Sequence, residues 1–552
     1  MGAPASLSKW YAEGVDPDYA PASTTLNDLF AEYTARYAGR TAIDYNDREL
    51  SYEGLARESA RVAAGLRRIG IGKGDVVALY LPNTVLHPIF FFGILQAGAA
   101  VTHLSPLDAV RELEHKLRDS GARLLVSLTQ APFAQRTLEL LAAGVLPRAV
   151  LADDAAWGGT GGPVPADDRV LSWDALVQGA DATLPPVPVA PSDPALLQYT
   201  GGTTGLPKAA VLTHEALAAA AQLYRYAWEH DPERVEEGER GLSISPLFHI
   251  MGLSAIMIRR IATGGVLILH QRFELEKFVD AIERKRPHST GGVPTLWIAV
   301  ANMPGVETRD FSSLRTIGAG GAPLAVETWR RIKALTGLGL RGGWGMTEIG
   351  AAGTMVPAGT PDAKMGTIGL PIPGIRIEIV SVDDPRKVLP AGETGEMRIK
   401  SPTLMSGYHN NPQETADSFV DGWFLTGDIG YADEDGFLYL VDRKKDLILS
   451  GGYNVYPLAV EHAVLEHPDV VEAMVIGLPD DYRGESAWAY VVLREGAAPL
   501  TIEALRAFLD TRLGRHELPQ GVEIRKELPR TAVGKYSRKT LRDEVLNARA
   551  AG

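Results

Sequence analysis

The 552-residue chain has no cysteine. That excludes disulfides, thiolate metal sites and a cysteine nucleophile, and it leaves the compartment unmarked by redox chemistry. Basic charge is in short supply too: 55 Lys+Arg against 68 Asp+Glu give a formal net charge of −13. This balance opposes binding along a phosphate backbone and argues against a nucleic-acid partner. Long apolar runs are also missing. The closest, residues 88–101, is shorter than a bilayer needs and contains Gln96, so it reads as a buried helix. Residues 1–10 lack the basic and apolar regions of a signal peptide. The expectation is a cytoplasmic chain with no membrane span.

Hydrophobic residues at 45% and charged residues at 22% are ordinary globular values. The length exceeds what one hydrophobic core serves, so two or more lobes are expected. Helix and strand patterns alternate through most of the chain, which predicts α/β layers. Thr25 is placed to cap a helix that carries Leu26, Leu29, Phe30 and Tyr33 on one face. Asn46-Asp47 reads as a hairpin turn, Ser51 as a second cap, and residues 75–81 as a buried strand. Residues 156–195, rich in Gly, Pro and Ala, read as a surface excursion. The charge run Asp442-Arg443-Lys444-Lys445-Asp446 marks a boundary. It divides the chain into residues 1–444 and 445–552. In the tail, Pro457 opens a helix, two strand patterns follow, and Thr501 caps a helix predicted to run through Leu513 to a cap at Gly514. The tail is therefore expected to be a small α+β domain.

Tyr199-Thr200-Gly201-Gly202-Thr203-Thr204-Gly205-Leu206-Pro207-Lys208 combines backbone freedom, threonine hydroxyls and a cation, the groups that wrap polyphosphate closely. Taken alone, it also reads as an ordinary Gly-rich turn. It is not the P-loop of common NTPases. The spacing fails, proline precedes the lysine, and residues 209–212 continue as a strand pattern instead of a helix.

Four further blocks follow in order: Gly318-Ala-Gly-Gly-Ala-Pro-Leu324, Gly343-Trp-Gly-Met-Thr-Glu348, Thr426-Gly-Asp428 with Asp442-Arg443, and Pro529-Arg-Thr-Ala-Val-Gly-Lys535. With the Gly/Thr loop, they make the sequence resemble the adenylate-forming superfamily of acyl-CoA synthetases, peptide-synthetase adenylation domains and luciferases. The match spans nearly the whole chain. It implies a large N-terminal AMP- and acyl-binding domain of layered sheets and helices, followed by a small mobile α+β lid.

The resemblance implies roles residue by residue. Thr200, Gly201, Gly202, Thr203, Thr204, Gly205 and Lys208 would hold the ATP phosphates, and Thr347 would donate to them. Glu348 would bind Mg²⁺ jointly with the phosphates. Trp344, where many relatives carry Tyr or Phe, would stack on adenine, with Gly321 and Ala322 on its other side. Asp428 would accept the ribose hydroxyls beside Arg443. Lys535 would bridge the substrate carboxylate and the α-phosphate during adenylation. The lid would pivot at Lys445, then present Gly451, Gly452 and Tyr453 for thiol transfer. The stretch ending at Lys535 also resembles the site acetylated in bacterial relatives, so a lysine acetyltransferase and deacetylase are implied partners. A homodimer is compatible with the reading.

Pro246-Leu-Phe-His-Ile-Met-Gly252 resembles the segment whose histidine gates the acyl pocket. His249 is the candidate gate, with Ile250, Met251, Gly320, Gly343, Ala351 and Ala352 as pocket walls. The small Ala351 and Ala352 favour a deep apolar channel and an aliphatic acid. Arg259 or Arg260, inside an apolar helical run, is a candidate anchor for a second carboxylate. Two departures from the family pattern stand out: Ala209 follows the loop lysine where Gly is common, and Leu449 replaces a lysine found in some plant hydroxycinnamate ligases. The reading is an AMP-forming acyl-CoA ligase for a medium- or long-chain fatty or dicarboxylic acid, using ATP, Mg²⁺ and coenzyme A. An aromatic-acid CoA ligase and a stand-alone adenylation enzyme loading a carrier protein are the alternatives.

Overall fold

A computed structural model describes residues 9–200, 207–235, 238–319, 326–364, 366–451, 453–531 and 536–551. Two mostly parallel sheets form the large part of the chain. One runs in the order Leu340–Arg341, Thr316–Ala319, Ser289–Gly292, Arg240–Ser243, Val266–Leu269, Thr41–Tyr45, Arg48–Ser51. The other runs Gly407–Tyr408, Lys208–Thr213, Pro194–Thr200, Ala100–His103, Val76–Leu79, Leu124–Leu128, Ala149–Ala152, Val170–Ser172. The Thr41–Tyr45 hairpin closes because Asn46 and Asp47 both take left-handed φ, 51° and 61°, the geometry a two-residue turn of this hand requires.

Helices fill the space between these sheets. The main core joins Ile43 and Leu267 of the first sheet to Leu79, Val101 and Val126 of the second through residues of Leu26–Arg36, Tyr52–Arg68 and Leu86–Gln96. Every residue of Leu86–Gln96 is buried. Its Phe90, Phe91 and Phe92 are at most 1% exposed, each contributing about 1.5–3 kcal/mol of burial. Phe92 stacks on Phe30 at 3.9 Å. Among the described residues no helix is long and apolar enough to cross a membrane. Thr25 and Ser51 cap as expected, Thr25 in a reciprocal box with Asp28.

Two expectations change. Residues 156–195 are not only a surface excursion: they return as the edge strand Val170–Ser172 and the helix Trp173–Val177. Leu176 of that helix is fully buried and Trp173 packs edge-on against Phe90. In the tail, the helix capped by Thr501 ends at Leu509. The Arg512 and Leu513 amides then both bond the Leu509 carbonyl in one separate turn, and Gly514 donates to the Glu517 carboxylate instead of capping.

A third, antiparallel sheet carries Arg376–Val380, Gly395–Lys400, Trp423–Ala432, Phe419–Val420 and Leu438–Arg443. The single turn Lys444–Asp446 leads from it into a separate sheet of Tyr453–Val455, Ile448–Ser450, Gly484–Leu493, Val470–Asp480 and Gly521–Ile524. That small α+β part has its own apolar clusters, one around Val460, Val475 and Leu505 and one around Met474, Tyr490 and Leu541. Arg538 clamps it to the turn through Glu461, at 2.7 Å, and Asp446, at 3.3 Å.

Candidate active site

Strands Pro194–Thr200 and Lys208–Thr213 are antiparallel neighbours in which Thr200 faces Lys208. The Gly/Thr loop therefore joins two strands, unlike the strand-to-helix step of a P-loop. Its Gly201, Gly202, Thr203, Thr204 and Gly205 lie outside the described residues, as do Gly320, Gly321, Ala322, Gly452 and Lys535. Lys208 forms an ion pair with Glu414 and lies over the Tyr408 ring, 4.8 Å from its centroid. Strand Gly407–Tyr408 pairs with Lys208–Thr213, which brings the tyrosine there.

The Tyr408 hydroxyl donates to Glu348 Oε1 at 2.9 Å. Glu348 sits in the short turn Thr347–Ile349 and is 6% exposed. Burial pushes its carboxyl above the usual range, opposed by the Tyr408 hydrogen bond and the Arg443 charge. The turn closes through left-handed Gly350 and Ala351, φ 58° and 63°. For alanine this conformation costs on the order of 1 kcal/mol, and the strain sits three residues from the carboxylate.

Trp344 lies on the same segment. Its backbone amide donates to Thr354 Oγ1, and its indole Nε1 donates to Asp428 Oδ2 at 2.8 Å. Asp428 and Arg443 face each other across strands Trp423–Ala432 and Leu438–Arg443, and Arg443 Nε lies 3.1 Å from Asp428 Oδ1. Lys208, Thr347, Glu348, Trp344, Asp428 and Arg443, drawn from three of the five sequence blocks, thus meet through Tyr408 and Asp428.

A cavity of about 130 Å³ is lined among others by His103, Gln198, Tyr199, His249 and Thr531, and Tyr199 precedes Thr200, which faces Lys208. Thr531 comes from the small C-terminal part, four residues before Lys535. Arg530 beside it is anchored to Glu472 at 2.8 Å. Gly451 has a left-handed φ of 60° and Tyr453 is exposed at the tip of a hairpin. Thr531, then, is the described residue of the small domain that lines the cavity. Lys445 is exposed in the connecting turn.

His249 is half-buried, and its Nδ1 accepts from the Met251 amide at 3.3 Å. Ile250 is buried and Met251 opens Met251–Ile258, an unusual π-helix, a winding frequent at functional sites. Ile250, Ala351 and Ala352 belong to one apolar cluster, while Gly343 is exposed. The candidate anchors for a second carboxylate do not hold. Arg260 is buried on Glu239 Oε2 at 2.7 Å, and Arg259 reaches the same oxygen at 3.2 Å. Burial alone would raise Glu239, but the two arginines hold it down to about 2. Both guanidinium groups therefore serve a structural ion cluster.

The sequence reading missed Tyr408, Glu414 and a buried histidine chain. His87 Nε2 and His103 Nε2 lie 3.1 Å apart, His103 Nδ1 meets Gln198 Oε1 at 2.8 Å, and Gln198 Nε2 donates to the Phe248 carbonyl next to His249. Burial pushes both imidazoles down, His103 to about 4. The folded protein thus keeps His103 neutral where the unfolded chain, at 6.5, takes up a proton. Stability is then lost as pH falls from 6.5 to about 4, by up to about 3 kcal/mol from this group. Melting temperatures across that window are expected to fall more steeply for the wild type than for His103→Asn; parallel slopes would remove His103 from the acid response.

Residues 30–409 match the AMP-binding enzyme family and residues 459–535 its C-terminal domain. The long-chain-fatty-acid–CoA ligase of Bacillus subtilis (strain 168) is 35% identical over 557 aligned residues, covering 98% of each chain. A feruloyl-CoA synthase of Amycolatopsis sp is 36% identical over 502, covering 90% of this chain and 94% of that one. The structure superposes on the anthranilate CoA ligase AuaEII in complex with anthranoyl-AMP with a TM-score of 0.85, 26% identity and coverage of 96% and 99%. ATP-bound MatB from Rhodopseudomonas palustris gives 0.83, 27%, and coverage of 95% and 100%. With both family domains in order and relatives matching nearly end to end, the chain belongs to the AMP-binding enzyme family, among its ATP-dependent acyl-CoA ligases.

Proposed function

We propose that the enzyme activates a medium- or long-chain fatty acid as its acyl-adenylate, releasing pyrophosphate, and then passes the acyl group to CoA, releasing AMP. The observation that carries this reading is the meeting of Lys208 and Glu348 at Tyr408 and of Trp344 and Arg443 at Asp428, while Thr531 of the small domain shares a cavity with His249. Lys208 and Thr200 would hold the ATP phosphates, and Thr347 would donate to them. Trp344 would lie along adenine and Asp428 would take the ribose. Lys535 would reach the reacting carboxylate through the Thr531 side of the cavity. The boundary between residues 444 and 445 would be the pivot, at Lys445, that exchanges Lys535 for Gly451, Gly452 and Tyr453.

The donor set also fits magnesium. Among the described residues no group of three or more His, Asp or Glu side chains is disposed to hold a metal alone. Magnesium in nucleotide enzymes is held by one or two carboxylates plus substrate phosphates, and Glu348 is a buried carboxylate whose burial is relieved by a nearby cation. The ion would neutralise phosphate charge, and Glu348 would fix its place.

For the acid, the small Ala351 and Ala352 beside buried Ile250 support an aliphatic chain, as does the likeness to long-chain ligases. With Arg259 and Arg260 committed to Glu239, a dicarboxylic acid loses its anchor. The feruloyl-CoA synthase relative supports a second reading, an aromatic acid. Pyrophosphate release across aliphatic, dicarboxylic and aromatic acids, with and without CoA, decides between them. Aliphatic acids are expected to exceed aromatic ones by about tenfold or more in kcat/KM, and the reverse order would install the aromatic reading. AMP formation with a carrier protein but not with CoA would assign carrier loading instead.

A further inference from the structure

The contact between Trp344 and Asp428 asks for more than an adenine platform. Trp344 is 8% exposed and Asp428 2%, so their 2.8 Å hydrogen bond is shielded from water. The carboxylate is gripped from two sides, by indole Nε1 on Oδ2 and by Arg443 Nε on Oδ1. Two directional donors on opposite oxygens fix the plane of a carboxylate that would otherwise turn about its terminal torsion. The backbone beneath is also held: the Asp428 amide donates to Thr426 Oγ1, which donates to the Met397 carbonyl.

Trp344 is itself immobilised. Its carbonyl accepts from the Thr354 amide and its amide donates to Thr354 Oγ1. The Gly353 backbone lies against its ring so closely that a Cβ there would sit 2.6 Å from Cε3, so the benzo edge of the indole is packed against backbone. Phenylalanine in its place would keep a flat face but offer Oδ2 no donor.

We propose that Trp344 is a positioning residue: its indole N–H sets the plane of the Asp428 carboxylate and so sets how strictly the enzyme demands both ribose hydroxyls of its nucleotide. This rests on Asp428 being the ribose ligand. A carboxylate locked in one plane meets two adjacent hydroxyls with both oxygens, whereas one free to turn meets a single hydroxyl almost as well. Loss of the lock therefore weakens ATP more than its deoxy analogues.

The test measures kcat and KM for ATP, 2′-deoxy-ATP and 3′-deoxy-ATP by pyrophosphate release at saturating acid. It uses the full-length wild type, Asp428→Ala, Trp344→Phe and Trp344→His. Histidine is the informative partner, because its Nε2 occupies the ring position of indole Nε1 and keeps a donor. Trp344→Phe is expected to raise KM for ATP on the order of tenfold, with a smaller change in kcat, and to erode discrimination against the deoxy nucleotides. Trp344→His is expected to restore much of that discrimination. An equal rise in all three KM values for Trp344→Phe, the signature of lost stacking alone, would overturn the proposal. Equal behaviour of the Phe and His variants would overturn it as well. If Asp428→Ala still discriminates, the ribose reading itself falls, and the inference with it. If Asp428→Ala loses discrimination while Trp344→Phe keeps it, only the inference falls.

Discussion

Lys535→Ala is expected to slow acyl-adenylate formation by about two to three powers of ten, while thioester formation from supplied acyl-adenylate stays within a few-fold of wild type. The reason is electrostatic. Adenylation moves negative charge from the attacking carboxylate toward pyrophosphate, and a positioned ammonium group stabilises that charge as it develops. Thiol attack on a finished adenylate does not repeat this demand. The small domain reaches the cavity beside His249 through Thr531, on the stretch that ends at Lys535. Pyrophosphate release and CoA-dependent consumption of synthetic adenylate, assayed separately, check the split. Equal loss in both would assign Lys535 to the fold or to CoA. Acetylation of Lys535 would remove the same charge, and deacetylase treatment of the acetylated enzyme should restore the first half-reaction alone.

Glu348→Gln should lower pyrophosphate release on the order of a hundredfold and raise the magnesium concentration needed for half-maximal rate. The substitution is nearly isosteric, and the amide oxygen still accepts the Tyr408 hydroxyl that Glu348 Oε1 accepts now. Only the charge is lost. Because that charge is buried at a cost, the neutral variant is expected to melt at the wild-type temperature or above, the pattern of a residue kept for activity against stability. Activity lost together with melting temperature would instead place Glu348 in the scaffold.

Both of these candidates could be named from the sequence for the same reason. Lys535 and Glu348 stand in short blocks whose order along the chain is a one-dimensional property. The caps at Thr25 and Ser51, the hairpin at Asn46-Asp47 and the buried helix over Leu86–Gln96 are likewise local, fixed by neighbours within a few residues. Tyr408 and Glu414 escaped notice because they stand in none of the five blocks. Their partners, Glu348 and Lys208, lie 60 and 206 residues away. The arginine pair failed as a substrate anchor for the same reason, since Glu239 answers it from another strand end. The helix capped by Thr501 stopped early because apolar spacing continued while the hydrogen bonding did not.

Composition and local periodicity by themselves pointed to the α/β class and the two-part organisation, and the five ordered blocks carried the resemblance that implied the ATP-dependent chemistry. Only the tertiary structure decided which charges are engaged. It hung Lys208 and Glu348 on one tyrosine, turned Arg259 and Arg260 onto Glu239, and gave Asp428 to Trp344. A buried charge must find a partner wherever the fold brings one, and sequence spacing carries no record of that distance.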